Sequence, residues 1–269
     1  WYYLMVAEGG TEYGHMVTYA RSKDPYGPFE AYAKNPVLTN RNLGGNENHI
    51  QGIGHGDLIE MPYGETFMVC LGFRIQSDWM PFHHLGREVF LVPVTWDKNG
   101  WFTAGVDGTV QTVMDLPLKA SEQKINGRYD VSFETIKNEP QRFCHLREYH
   151  PECYEFTENS VTLFGNRFTL NDTESPTFLG VRQSEFDTEL TVSLTGNSPE
   201  AGITFYLSEE HHYDLAVLCK EKKRTLILRL RIGDAVMTAK EIELPEDAQI
   251  TLKVASDAAQ YHFYGIINE

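Results

Sequence analysis

Glu8 is followed at once by Gly9 and Gly10 and preceded by the apolar, aromatic run Trp1 to Val6. Such a run predicts a buried strand. The carboxylate then stands at the lip of a rigid element, with glycines leaving room and free backbone angles beside it. A carboxylate so placed can serve as a catalytic acid. The same residues also describe a Glu that opens a Gly-Gly turn into solvent. Arg87, in Leu85-Gly-Arg87-Glu88, reads from the sequence alone as a partner of Glu88 or a surface charge. His55 lies between Gly54 and Gly56, where a lone histidine is a hydrogen-bonded structural residue or a ligand. His83 and His84 precede the arginine and read as rim residues of whatever site it serves.

The elements that must position these side chains are short strands. From Trp1 to about Gly108 the chain is dense in aromatics and glycine. His15 to Ala20 alternates as a strand does, Arg21 to Pro28 is turn-rich, and Asn35 to Thr39 is a short extended piece. Arg41 to Gln51 reads as a polar loop. Leu58 to Glu60, Thr66 to Leu71 and Val89 to Val94 read as strands, and Asp97-Lys-Asn-Gly100 as a hairpin turn. No helical period stands out, so a barrel, sandwich or propeller is expected. Pro117 to Lys124 reads as a linker. Beyond it the strands are longer: Leu226, Leu228, Leu230 and Ile232 alternate with Ile227, Arg229 and Arg231, and Ile250, Leu252 and Val254 repeat the pattern. One apolar and one polar face mark the sheets of a sandwich. Lys222-Lys223-Arg224 reads as a solvated turn.

The 269 residues allow one or two domains with sizeable cores. A formal net charge of −15 argues against nucleic acid and anionic membranes as partners and suits a neutral ligand such as a sugar. No run approaches the roughly 20 apolar residues of a spanning helix. The four cysteines (Cys70, Cys144, Cys153 and Cys219) form no Cys-x-x-Cys pair and read as free thiols of a reducing compartment; only Cys144 and Cys153 are near enough in sequence for a local bridge. A cytoplasmic location is the corresponding expectation. The chain has no Gly-x-Ser-x-Gly elbow, His-Glu-x-x-His, P-loop or zinc spacing. Gly52-Ile-Gly54-His-Gly56 lacks the dinucleotide spacing, and Asn171-Asp-Thr173 is a glycosylation match of the kind common by chance.

Six ordered segments carry a resemblance: Tyr2-Tyr-Leu-Met-Val-Ala-Glu8-Gly-Gly-Thr-Glu-Tyr-Gly-His15, Ala20-Arg-Ser22, Tyr26-Gly-Pro-Phe-Glu30, Asn35-Pro-Val-Leu-Thr39, Gly54-His55-Gly-Asp-Leu58 and Leu85-Gly-Arg87-Glu88. Together they resemble glycoside hydrolase family 43, nearest its β-xylosidases and α-L-arabinofuranosidases. The second section, notably Ser175-Pro-Thr-Phe-Leu-Gly-Val-Arg-Gln183, is similar to the β-sandwich attached to those enzymes. The resemblance implies an all-β chain: residues 1–120 as the C-terminal part of a five-bladed β-propeller, and residues 121–269 as a concanavalin-like β-sandwich, incomplete at its C-terminus. It also implies an internal fragment that lacks the first propeller blades.

The family inverts the anomeric centre with an Asp base, an Asp that tunes pKa and a Glu acid. Glu8 matches the acid, and both aspartates are expected upstream of this chain. Arg87 matches an arginine that reaches the sugar hydroxyls. His55 matches a histidine near the propeller axis that in some members binds a divalent cation, calcium in several; no cofactor is otherwise implied. Cys70 falls at a substrate-binding position but departs from the pattern, because several β-xylosidases carry His there, followed by Leu-Thr-Gly-Arg, where this chain has Cys70-Leu-Gly-Phe-Arg74. The implied reaction removes terminal xylose or arabinofuranose from xylan-derived oligosaccharides, with the fragment alone inactive. A homo-oligomer is compatible with this reading. The alternative is a non-catalytic carbohydrate-binding protein built from a propeller and a lectin-like sandwich.

Overall fold

The computed structural model describes residues 1–44, 48–76, 81–116, 136, 138, 140–158, 160–195, 198–221, 223–246 and 248–268. The expected linker at 117–124 lies outside them. The chain divides into two compact units, Trp1–Lys124 and Ile125–Glu269.

The first unit holds two antiparallel sheets. Strands β1 (Tyr2–Glu8), β2 (Met16–Ser22) and β3 (Glu30–Ala31) form one, in that order. Strands β4 (Ile50–Glu60), β5 (Thr66–Arg74), β6 (Glu88–Trp96) and β7 (Phe102–Ala104) form a four-stranded meander. The core between them takes alternate residues from each strand, as the two-residue period requires: Val17 and Tyr19 from β2, Ile53 from β4, Met68 and Cys70 from β5, Val92 from β6 and Phe102 from β7. Tyr19 locks this core. Its ring stacks on Phe102 at 4.0 Å, and its hydroxyl donates to the Phe102 carbonyl at 2.9 Å while accepting the Phe102 N–H at 2.8 Å. Arg21 lies between the rings of Trp1 and Trp101, 4.0 and 3.6 Å from their centroids.

Two expectations change here. β1 is not buried through its length: Tyr3 and Met5 pack against the core, while Tyr2, Leu4 and Val6 are exposed on the opposite face. β4 begins at Ile50, so Gly52, Gly54 and Gly56 sit inside a strand that was expected to start only near Leu58. Register shifts between Gln51 and Gly54 and between Gly54 and Asp57 absorb the irregular backbone, including positive φ at Gly52 and His55.

In the second unit two short 3-10 turns, Pro140–Arg142 and Pro151–Cys153, precede the hairpin of β8 (Tyr154–Phe156) and β9 (Val161–Leu163). Seven longer strands follow: β10 (Thr188–Leu194), β11 (Glu200–Ser208), β12 (His211–Lys220), β13 (Lys223–Ile232), β14 (Ala235–Leu244), β15 (Gln249–Ser256) and β16 (Tyr261–Asn268). They make two sheets, β11-β12-β13-β14 and β10-β15-β16. Ile203, Leu215, Val217 and Leu226 of the first face Ile250, Leu252 and Val254 of the second, which is the expected sandwich. The other face of β12 and β13 carries a buried polar network. Asp214 accepts from the Thr204 hydroxyl at 2.8 Å, from Arg229 Nε at 2.9 Å and from His212 Nδ1 at 2.8 Å. His212 Nε2 in turn lies 3.1 Å from the Asn171 side-chain oxygen, which also accepts from Arg231 at 2.6 Å. Burial opposes the charge on Arg229, but its bonds to Glu200 and Asp214 outweigh that and hold its pKa above the usual arginine value.

Arg224 corrects the reading of the β12–β13 turn as wholly solvated. It is buried and donates to the carbonyls of Ala248, at 2.6 Å, and Glu246, at 3.2 Å. All four cysteines are free thiols.

Candidate active site

Glu8 is the last residue of β1, registered opposite Met16 across the hairpin. The turn that follows is tight. Gly9 and Gly10 have φ of +79° and +77°, and a Cβ on Gly9 would sit 1.9 Å from the Gly14 carbonyl oxygen, so only glycine fits there. The Glu8 carboxylate is exposed and makes no hydrogen bond or ion pair among the described residues. Behind the turn, His15 is buried, with Nδ1 3.1 Å from the Gly52 carbonyl and its backbone carbonyl accepting the Thr39 hydroxyl at 2.8 Å. Its ring occupies the space a side chain at Gly54 would need, since a Cβ there would lie 2.4 Å from it. The β4 glycines thus admit rings from neighbouring strands, a use that glycine inside a strand pattern can signal.

Arg87 lies just before β6. It is exposed and, among the described residues, makes no hydrogen bond or ion pair. Glu88, its expected alternative partner, is taken by Arg74: Nε donates to both carboxylate oxygens at 3.1 and 2.9 Å, and a terminal nitrogen donates to one of them at 2.8 Å. A bidentate pair of this kind is directional and stronger than a single bond. Sequence reading missed Arg74 because its partner lies fourteen residues away, across the β5–β6 connection.

The loops that carry Glu8 and Arg87 touch. The Tyr13 ring meets Phe73 edge-on at 5.1 Å, Phe73 stacks on His83 at 4.0 Å, and the Tyr13 hydroxyl donates to the Pro81 carbonyl. Glu12 lies 3.8 Å from His83 Nε2. Gln76 closes the far side, with its N–H donating to the Phe82 carbonyl at 3.1 Å and its side chain 3.2 Å from His84 Nδ1. Burial, and then the Glu12 charge, raises the Tyr13 pKa; burial, and then His83, lowers that of His84.

The other expected site residues are His55 and Cys70. His55 is exposed at a φ of 52° on β4, and Asp57 is exposed two residues on. Among the described residues no group of three or more His, Cys, Asp or Glu side chains is placed to hold a metal ion. Cys70 lies in the core, its thiol donating to the Phe90 carbonyl at 3.7 Å, and burial pushes its pKa up to about 12. It presents no group to a ligand at the surface of these residues. The arrangement can offer a carboxylate and an unpaired guanidinium from two fastened loops, which is the equipment for hydrogen-bonding a polyhydroxylated ligand and for moving a proton at one of its oxygens.

Comparison with known proteins identifies a family for both units. Residues 1–102 match the model of glycosyl hydrolases family 43, and residues 131–269 match that of the beta xylosidase C-terminal concanavalin A-like domain. The non-reducing end alpha-L-arabinofuranosidase BoGH43B of Bacteroides ovatus is 34% identical over 278 residues, an alignment that takes in 98% of this chain and 50% of that protein. A xylosidase/arabinosidase of Butyrivibrio fibrisolvens is 30% identical, with 97% of this chain and 52% of that protein covered. Among solved structures, the GH43B protein of a Bacteroides ovatus xyloglucan locus superposes with a TM-score of 0.86 at 32% identity, over 100% of this chain and 55% of that one. A GH43_12 protein retrieved from a capybara gut metagenome gives 0.88 at 25% identity, over 99% and 52%. The chain spans about half the length of the curated relatives it matches.

Proposed function

The chain belongs to glycosyl hydrolases family 43, with part of a β-propeller followed by a concanavalin A-like sandwich, and on that premise we propose that the whole protein carrying it removes terminal arabinofuranose or xylose from xylan-derived oligosaccharides with inversion. The curated relatives named for arabinofuranosidase and xylosidase/arabinosidase activity support this substrate class. Within the chain, the observation that carries the reading is the Arg74–Glu88 fork, because it leaves the Arg87 guanidinium open on a loop fastened to the loop of Glu8.

In this reading Glu8 gives its proton to the glycosidic oxygen as the bond to the anomeric carbon breaks. An Asp base in the rest of the protein takes a proton from water, and that water attacks the opposite face. Inversion needs the two carboxyl groups roughly 6.5–9.5 Å apart to admit the water. Arg87 donates to sugar hydroxyls and fixes the ring against both groups. A second reading is favoured by the exposure of Glu8, since a proton donor is normally held protonated by burial or by a second carboxylate. There Glu8 accepts from a sugar hydroxyl and the acid lies elsewhere in the whole protein.

The experiment is proton NMR of the product anomer during cleavage of aryl β-xyloside and aryl α-L-arabinofuranoside by the whole protein. Inverted sugar is expected from at least one substrate. Retained configuration contradicts the mechanism, and binding without turnover supports a non-catalytic carbohydrate-binding protein.

A further inference from the structure

Among the described residues Tyr13, Phe73 and His83 make no hydrogen bond or ion pair with Glu8 or Arg87, yet they join the segments that carry them. Tyr13 lies in the turn between Glu8 and β2, Phe73 near the end of β5, and His83 four residues before Arg87. The three rings form a continuous column, edge-on at 5.1 Å and then stacked at 4.0 Å. Phe73 is fixed from below as well: it is fully buried, and its ring fills the place that a Cβ on Gly52 would take, 2.1 Å away. Tyr13 adds a polar tie to the column through its hydroxyl on the Pro81 carbonyl, and Glu12 adds a weak ionic one to His83. Glu12 is largely exposed, so the ionic tie contributes little. Each segment is already held at one end by strand pairing, Glu8 opposite Met16 and Glu88 opposite Gly72, and the column joins the loops that run between those ends.

The geometry points to this column as a positioning clasp that sets the separation of the Glu8 carboxylate from the Arg87 guanidinium. The inference rests on the reading of those two residues as sugar-contacting. A clasp of this kind acts on the reaction through Arg87, because a small misplacement of a contacting group is costly to rate. It therefore predicts non-additivity, which a residue that merely stabilises the fold would not give.

The test is a double-mutant cycle in the whole protein with aryl xyloside and aryl arabinofuranoside. Tyr13→Phe keeps the ring and removes only the tie to Pro81. We expect its kcat to fall about tenfold, with KM changed less than about twofold and Tm unchanged within roughly 2 °C. In an Arg87→Ala background the same change should cost less than about twofold. His83→Ala, which removes the stack and leaves the hydroxyl tie, should show the same loss and the same masking. Full activity of both single variants, or losses that multiply with that of Arg87→Ala, would overturn the clasp. If Arg87→Ala itself is fully active, the reading of Arg87 fails first and the clasp has nothing to act through.

Discussion

Replacing Asp214 by alanine tests whether the polar network on the outer face of β12 holds the sandwich together. Asp214 and His212 are each 2% exposed. The substitution removes one acceptor from the Thr204 hydroxyl, one from Arg229 and one from His212. The three donors do not lose equally. Arg229 keeps Glu200 and a side chain 20% exposed, and among the described residues His212 keeps one side-chain hydrogen bond, to Asn171. Stranding one buried partner of such a pair costs roughly 3–5 kcal/mol, and the partial rescue of Arg229 places the expected loss near the lower end, about 3 kcal/mol. For a unit of this size each kcal/mol is worth about 2–4 °C, so the melting transition should fall by roughly 10 °C. All four tryptophans lie in the first unit, so their fluorescence reports that unit alone. The loss should then be seen by calorimetry or far-ultraviolet circular dichroism, with the tryptophan transition moving less. A change below about 0.5 kcal/mol would refute the assignment of this network as a stabilising one.

Three further outcomes are expected. In the folded chain at pH 8, iodoacetamide should label Cys144, Cys153 and Cys219 well before Cys70, whose burial and raised pKa leave almost no thiolate; early labelling of Cys70, read by peptide mass spectrometry, would contradict its place in the core. Asp97 accepts from the N–H groups of Trp101 and Asn99, which hold its pKa below the usual value. Its contribution is therefore present above about pH 4 and lost as pH falls through the lowered folded value, and Asp97→Asn should abolish that part of the acid limb; an unchanged acid limb in the variant would contradict the cap. If a cation is held at His55, chelation should lower the melting temperature of the whole protein, and calcium should restore it in the wild type but not in His55→Ala; no response to chelator or calcium would leave His55 a structural residue.

Alternation made much of the second unit legible. Ile250, Leu252 and Val254 point inward as their spacing implies, and so does Leu226. Burial of Asp214 and Arg224 was not legible, because a charged residue on a strand reads as solvent-facing until its cross-strand donors and acceptors are known. The same limit applies to β4. Gly52 and Gly54 look like loop residues in sequence, and only the approach of Phe73 and His15 explains glycine inside the strand. In the candidate site, Glu8 could be singled out from local context, a carboxylate before two glycines, whereas Arg87 stood out only through the family resemblance of Leu85-Gly-Arg87-Glu88. What holds them could not, since Tyr13 to Phe73 and Arg74 to Glu88 are contacts between separate elements with no local signature.

Leaving-group dependence tests the central claim most directly. The whole protein and its Glu8→Gln variant would be compared on a series of aryl xylosides or arabinofuranosides that differ in the acidity of the released phenol. If Glu8 donates the proton, the variant should lose activity by two or more orders of magnitude on poor leaving groups and far less on activated ones, so that its rates depend steeply on phenol acidity. Equal, mild losses across the series would contradict that role and leave Glu8 as a residue that only holds the sugar.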